Sequence, residues 1–208
     1  MMKKFLLPAI ILLFISRAMA QITAVTEEGK AVILFGNGTW RYLNDSVWIS
    51  NTGMQYFSTP ENSTQLLTGK EPAYEIRYNA EKWKLLPDTL YKNADFSLEN
   101  NDGEVIAMII TGKMQVPLHR IKDAAMENFN KTGTEFKITD EQKLNVNGTE
   151  GLLLKIDALV DDMPFSYLNG YFSTPQGTYQ LITFTAYNLF DQYHNDMMDL
   201  ICGFLPVK

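Results

Sequence analysis

The sequence predicts an α+β fold, a mostly antiparallel sheet flanked by helices and preceded by a small β meander. Three observations predict it. Short runs of alternating apolar residues recur between tight-turn residues, as hairpin-linked strands require. Two apolar stripes at helical spacing follow Pro117 and approach the carboxyl end. The order is strands, helix, strands, helix, without the regular strand-helix alternation of a doubly wound parallel sheet.

Residues 1–20 read as a secretory signal peptide. Lys3 and Lys4 are basic, residues 5–15 are almost wholly apolar, and Ala18-Met19-Ala20 fits the small-x-small cleavage rule. The apolar run is short for a bilayer span, so cleavage is expected rather than stable membrane insertion, with a mature chain beginning at Gln21. Residues 21–43 read as the small β meander. Its strands are 22–26, 31–35 and 39–43, separated by Glu27-Glu28-Gly29 and Gly36-Asn37-Gly38. So short a piece cannot bury a core of its own. Residues 44–71, rich in Asn, Ser, Thr and Gly, read as a linker with one ordered piece around Val47 to Ile49.

The main α+β domain is expected over 72–208. Tyr74, Ile76 and Tyr78 alternate with Glu75 and Arg77, the pattern of a half-buried strand. Strands over 94–98 and 104–114 flank Asn100-Asn101-Asp102-Gly103, where Gly103 supplies the positive φ of a tight hairpin. Pro117 opens a helix whose stripe is Leu118, Ile121, Ala125 and Phe129, and Gly133 ends it. Strands are expected over 134–138, 142–146, 151–160, 163–173 and 178–186, with bends at Asn147-Gly148, Asp161-Asp162 and Thr174-Pro175-Gln176-Gly177. A closing helix over 188–204 puts Leu189, Tyr193, Met197, Leu200 and Phe204 on one stripe.

Certain residues from 72 to 206 resemble the PsbP-like fold family. They are Tyr74-Glu75-Ile76-Arg77-Tyr78 with Trp83 after it, Asn147-Gly148 leading into Gly151-Leu152-Leu153-Leu154, and Phe172-Ser173 with Tyr179-Gln180-Leu181-Ile182-Thr183-Phe184 before the last helix. Residues 25–42, with Gly29-Lys30 and Gly38-Thr39-Trp40, also look like a short β motif common in secreted bacterial proteins of unknown function. The resemblance implies a PsbP-like sheet and helices. It carries no catalytic residue onto this chain.

Composition narrows the chemistry. The 208 residues are 46% hydrophobic and carry a formal net charge of −6, which becomes −9 once Lys3, Lys4 and Arg17 leave with the signal. Such a surface repels nucleic acid and anionic lipid. A lone cysteine, Cys202, permits no intrachain disulfide, and beside Leu200, Ile201 and Phe204 it reads as a buried, inert thiol. His119 and His194 stand in no nucleophile motif, and His194 lies eight residues from Cys202, about 12 Å along a helix and beyond thiolate-pair reach. Asp161-Asp162 and Asn100 to Glu104 read as turns rather than as acid/base or calcium sites. Catalytic, metal and cofactor-binding residues are therefore expected to be none. What stands out is aromatic: Trp40, Tyr42, Trp48, Tyr56 and Phe57, then Tyr167, Tyr171, Phe172 and Tyr179. These read as cross-strand core or as a surface for a partner or an apolar ligand. The functional expectation is a secreted or periplasmic, non-catalytic interaction or assembly module with an envelope or extracellular protein partner. The alternative is a carrier of a small apolar ligand in an aromatic-lined pocket between sheet and helix, and an enzyme of unrecognised type ranks behind both.

Overall fold

The computed structural model describes residues 22–25, 31–34, 40–42, 48–49, 53–87, 91, 93–132 and 134–207. The expected signal peptide, the two meander turns and Gly133 lie outside the described residues. In chain order the elements begin with β1 (Ile22–Val25), β2 (Ala31–Leu34), β3 (Trp40–Tyr42), β4 (Trp48–Ile49), β5 (Met54–Phe57), β6 (Gln65–Lys70), β7 (Ala73–Tyr78), β8 (Trp83–Leu85), β9 (Phe96–Asn100) and β10 (Val105–Gly112). Helix α1 (Leu118–Lys131) is followed by β11 (Glu135–Val146), β12 (Thr149–Val160), β13 (Met163–Thr174) and β14 (Gly177–Ala186). A 3-10 turn over Tyr187–Leu189 leads into α2 (Phe190–Cys202), and β15 (Phe204–Pro206) closes the chain.

Among the described residues twelve strands form one sheet in the order β1-β2-β3-β4-β5-β11-β12-β13-β14-β10-β9-β8, and β15-β7-β6 form a second. The fold is α+β, with every described ladder antiparallel except β5 on β11. Local hairpins explain this bias. Asn147 and Gly148 take φ of 51° and 86°, and Asp161 and Asp162 take 48° and 63°, the paired left-handed residues that join twisted antiparallel strands in a two-residue loop.

Strand alternation gives the large sheet two buried faces. One face carries Val105, Ala107, Ile109, Leu153, Leu168, Phe172, Tyr179 and Leu181, and it packs on α2 and the small sheet. Here Phe204 stacks on Phe172 at 4.3 Å, and Tyr74 meets Tyr179 edge-on at 5.6 Å. The opposite face carries Leu152, Leu154, Ile156 and Tyr171 and is covered by α1 through Ile121, with Ala125 and Phe129 against it. The result is three layers, α1 over the sheet and α2 with the small sheet beneath it.

Several expected boundaries are corrected. The stretch 44–71, read as a linker with one ordered piece around Val47 to Ile49, has β4 at that piece but also contains β5 and β6, and β5 joins the main sheet beside β11. Its scattered apolar residues work through distant partners: Phe57 sits in the core and Leu67 is 8% exposed opposite Ile76. The strands expected over 134–138 and 142–146 are instead one continuous strand, β11, whose register slips between Ile138 and Asp140. Helix α2 ends at Cys202, so Phe204 belongs to β15 rather than to the helical stripe. Gly203 makes the change of direction possible, because a Cβ there would collide with the Arg77 carbonyl oxygen.

Candidate functional site

The sheet face under α1 is wider than the helix that covers it. Register rows cross four strands, β12, β13, β14 and β10. The middle row is Leu154, Asn169, Ile182 and Met108; its neighbours are Leu152, Tyr171, Gln180 and Ile110 on one side and Ile156, Tyr167, Phe184 and Ile106 on the other. Helix α1 seals the β12 end of these rows and stops short of β10. A cleft of about 350 Å³ opens between them, at the small end of the ~300–1,000 Å³ span typical of small-molecule sites.

Asn169, Tyr167, Tyr171, Gln180, Ile182 and Met108 form the sheet side of the cleft, and Ala125, Asn128 and Phe129 form its helix side. Thr132, Thr134 and Val160 complete the rim. Phe129 is held by Phe136 at 5.0 Å and edge-on by Tyr167 at 5.5 Å, so this aromatic wall is braced from two sides. Thr132 caps the carboxyl end of α1 by donating its hydroxyl to the Phe129 carbonyl at 2.9 Å, and it pairs with the Thr134 hydroxyl at 2.8 Å. None of these lining side chains is charged.

The polar centre of the cleft is Asn169. It is 3% exposed, its Nδ2 donates to the Tyr171 hydroxyl at 3.1 Å, and its Oδ1 has no hydrogen-bond partner. A buried amide oxygen without a protein donor is uncommon in a folded protein, and among the described residues lining the cleft Asn169 Oδ1 is the one such side-chain atom. Burial pushes the Tyr171 phenol up to about 12, opposed by the Asn169 bond, and burial likewise raises Tyr167. Both phenols are neutral hydrogen-bonding groups at ordinary pH.

The aromatic residues that stand out in the sequence divide between the two faces. Tyr167 and Tyr171 line the cleft, whereas Phe172 and Tyr179 point into the α2 core with 0% exposure. Phe57 is core and Tyr56 is 37% exposed; the side chains of Trp40, Tyr42 and Trp48 lie outside what the structure describes. His119 is exposed beside a second hollow at the start of α1, and His194 stacks edge-on against Phe190 at 5.5 Å with Asn195 beside its Nδ1. Cys202 is buried and burial pushes its thiol up. Asp161 and Asp162 occupy an exposed turn. Asn100 Oδ1 accepts the backbone N–H of Glu104 and Val105, and Asp102 accepts the Tyr193 hydroxyl at 3.0 Å, so the 100–104 segment is tied up in the hairpin. Among the described residues no three His, Cys, Asp or Glu side chains converge as a metal site would need.

Asn169, Gln180, Met108 and Phe129 were missed as a site. The signal was present in the sequence of β13: Tyr167, Asn169 and Tyr171 alternate onto one face, and an asparagine between two tyrosines interrupts an otherwise apolar stripe.

The sequence matches no protein-family model and no curated protein. Solved structures do match. The solution structure of the cyanobacterial PsbP protein CyanoP from Synechocystis aligns with a TM-score of 0.56 at 12% identity, covering 71% of this chain and 95% of that one. A Pseudomonas aeruginosa protein of unknown function aligns at 0.45 with 12% identity over 69% and 97% of the two chains, and a Bacteroides thetaiotaomicron protein at 0.43 with 11% identity over 65% and 45%. Identity this low speaks to architecture and not to activity. The chain has a PsbP-like fold, with two α-helices among the described residues on a mostly antiparallel sheet.

Proposed function

We propose that this chain is an exported, non-catalytic binding module whose site is the cleft between α1 and the β10-β14-β13 face. The observation that carries the reading is the buried Asn169 carboxamide with a free oxygen in an uncharged, aromatic-walled cleft. An enclosed acceptor of that kind suits recognition of a bound molecule. Export rests on the basic, apolar and small-residue pattern of residues 1–20. Among the described residues no helix is long and apolar enough to cross a membrane.

The test uses N-phenyl-1-naphthylamine, a neutral dye that fluoresces in apolar sites. Its emission should rise to saturation with one site per chain. Ala125→Trp, which fills the cleft from the helix side, should abolish that rise while circular dichroism stays unchanged. Absence of saturable emission, or emission indifferent to Ala125→Trp, contradicts the reading.

A second reading, docking of an envelope protein, has its own support at the far end of the β12-β13 hairpin. Leu159 and Tyr187 are exposed there, Tyr187 at 53%, around a shallow hollow that includes Phe165, and Met163, 55% exposed, begins β13 beside it. Cross-linking in the native envelope distinguishes the two, since this reading expects a partner adduct that Met163→Lys with Tyr187→Lys removes.

A further inference from the structure

Resting on the reading of this cleft as a binding site, we infer that its occupant is a neutral, flat, largely apolar small molecule that donates one hydrogen bond, from an N–H or O–H group, to Asn169 Oδ1.

Each part of that description follows from a feature of the cleft. The hydrogen-bond polarity comes from Asn169. Its amide nitrogen is already committed to the Tyr171 hydroxyl, while the oxygen on the same group accepts nothing. In the sheet this residue lies between Leu154 and Ile182, neither of which has a side-chain donor. Asn169 is one of the residues that line the cleft, so the cleft is the route assigned here to a donor for its buried oxygen. A molecule that cannot supply the donor leaves the oxygen buried and unpaired and binds more weakly for that reason.

Neutrality comes from the lining, where no Asp, Glu, Lys, Arg or His side chain is present. A charged ligand would shed its hydration with no countercharge to receive it. Flatness and apolarity come from the walls. The Phe129 ring faces the tyrosine side of β13, and Met108 and Ile182 extend the floor toward β10. A planar aromatic body gains offset or edge contacts from such rings, and thioether and aliphatic groups fit around its edge.

The full-length mature chain, isotopically labelled, is titrated with three bicyclic probes of similar size while amide shifts are recorded. Indole carries a ring N–H donor, benzothiophene has no donor, and quinoline carries only an acceptor. The expected result is shifts at residues of the cleft with indole bound about tenfold more tightly than benzothiophene. In Asn169→Leu that preference should collapse to less than about twofold, with benzothiophene still shifting the same residues and so reporting an intact cleft. Equal affinities for indole and benzothiophene, with cleft shifts present, overturn the donor assignment while leaving the site standing. Tighter binding of quinoline than of indole overturns it in the other direction, because Asn169 then presents its N–H groups. Shifts confined to residues outside the cleft with all three probes bring down the binding reading itself. The wild-type comparison alone decides the matter if Asn169→Leu does not fold.

Discussion

Asn169 holds a position that packing alone would give to an aliphatic residue, between Leu154 and Ile182 in the middle of a sheet face. An asparagine kept there for stability would have both ends of its amide satisfied. Its oxygen is unpaired, so its substitution separates stability from binding. Asn169→Leu removes the bond to Tyr171 and exchanges one buried orphan, Oδ1, for another, the Tyr171 hydroxyl, so thermal or urea unfolding should place it within about 1 kcal/mol of wild type. Leu154→Ala in the same row should cost about 3 kcal/mol, because it leaves a cavity at a fully buried site. A loss for Asn169→Leu as large as that of Leu154→Ala would make the asparagine structural. Single residues were legible in the sequence where their chemistry is carried by residue type alone. The inert surroundings of Cys202 and the turn roles of Asn100, Asp161 and Asp162 were visible in their neighbours. Asn169 was not, since an unpaired oxygen is a property of what lies across the sheet.

Elements were legible wherever their cause is local. The α1 stripe, the Asn147-Gly148 and Asp161-Asp162 hairpins and the alternation of β7 all follow from residues a few positions apart. β5 and β6 were not, because their partners are distant. β5 pairs in parallel with β11, Phe57 opposite Val146, and no turn announces a parallel ladder between segments so far apart in sequence. Asn147 ties the same corner together: its Oδ1 accepts the Thr59 N–H at 3.0 Å and its Nδ2 donates to the Cys202 and Phe204 carbonyls at 3.0 and 2.8 Å. A turn residue thus also fastens the segment after β5 to the last strand. If 44–71 were a linker, Phe57→Ala would be silent. With Phe57 8% exposed in the main core, it should cost about 3 kcal/mol in chemical unfolding.

The whole molecule places its two faces in unequal states: α2 and the small sheet close one face over a continuous aromatic core, while α1 leaves the other partly open. Burial on both faces sets the pH response. Cys202, Tyr74 and Tyr171 all have acid forms held by burial, with Asp95 adding to the rise at Tyr74. In the unfolded chain these groups ionise near 9.0 for the thiol and 10.0 for the phenols. Below pH 9 their contribution is complete. Above it the unfolded chain releases protons that the folded chain retains, so stability falls by about 1.4 kcal/mol per pH unit for each group titrating only when unfolded. Equilibrium unfolding at pH 8 and pH 10.5 should therefore show a marked loss at the higher pH, and equal stability would contradict the burial of these groups. The architecture was legible from hairpins and stripes, but the open face was not, since it depends on α1 being narrower than the four strands beneath it. Whether that open face binds is decided by backbone and side-chain amide shifts of the intact chain, recorded on saturation with N-phenyl-1-naphthylamine. A binding cleft gives its largest shifts at 125–132, 167–171 and 180–182, with the Asn169 and Gln180 side-chain amides among them. Largest shifts around Leu159, Met163 and Tyr187, with the cleft silent, would contradict it.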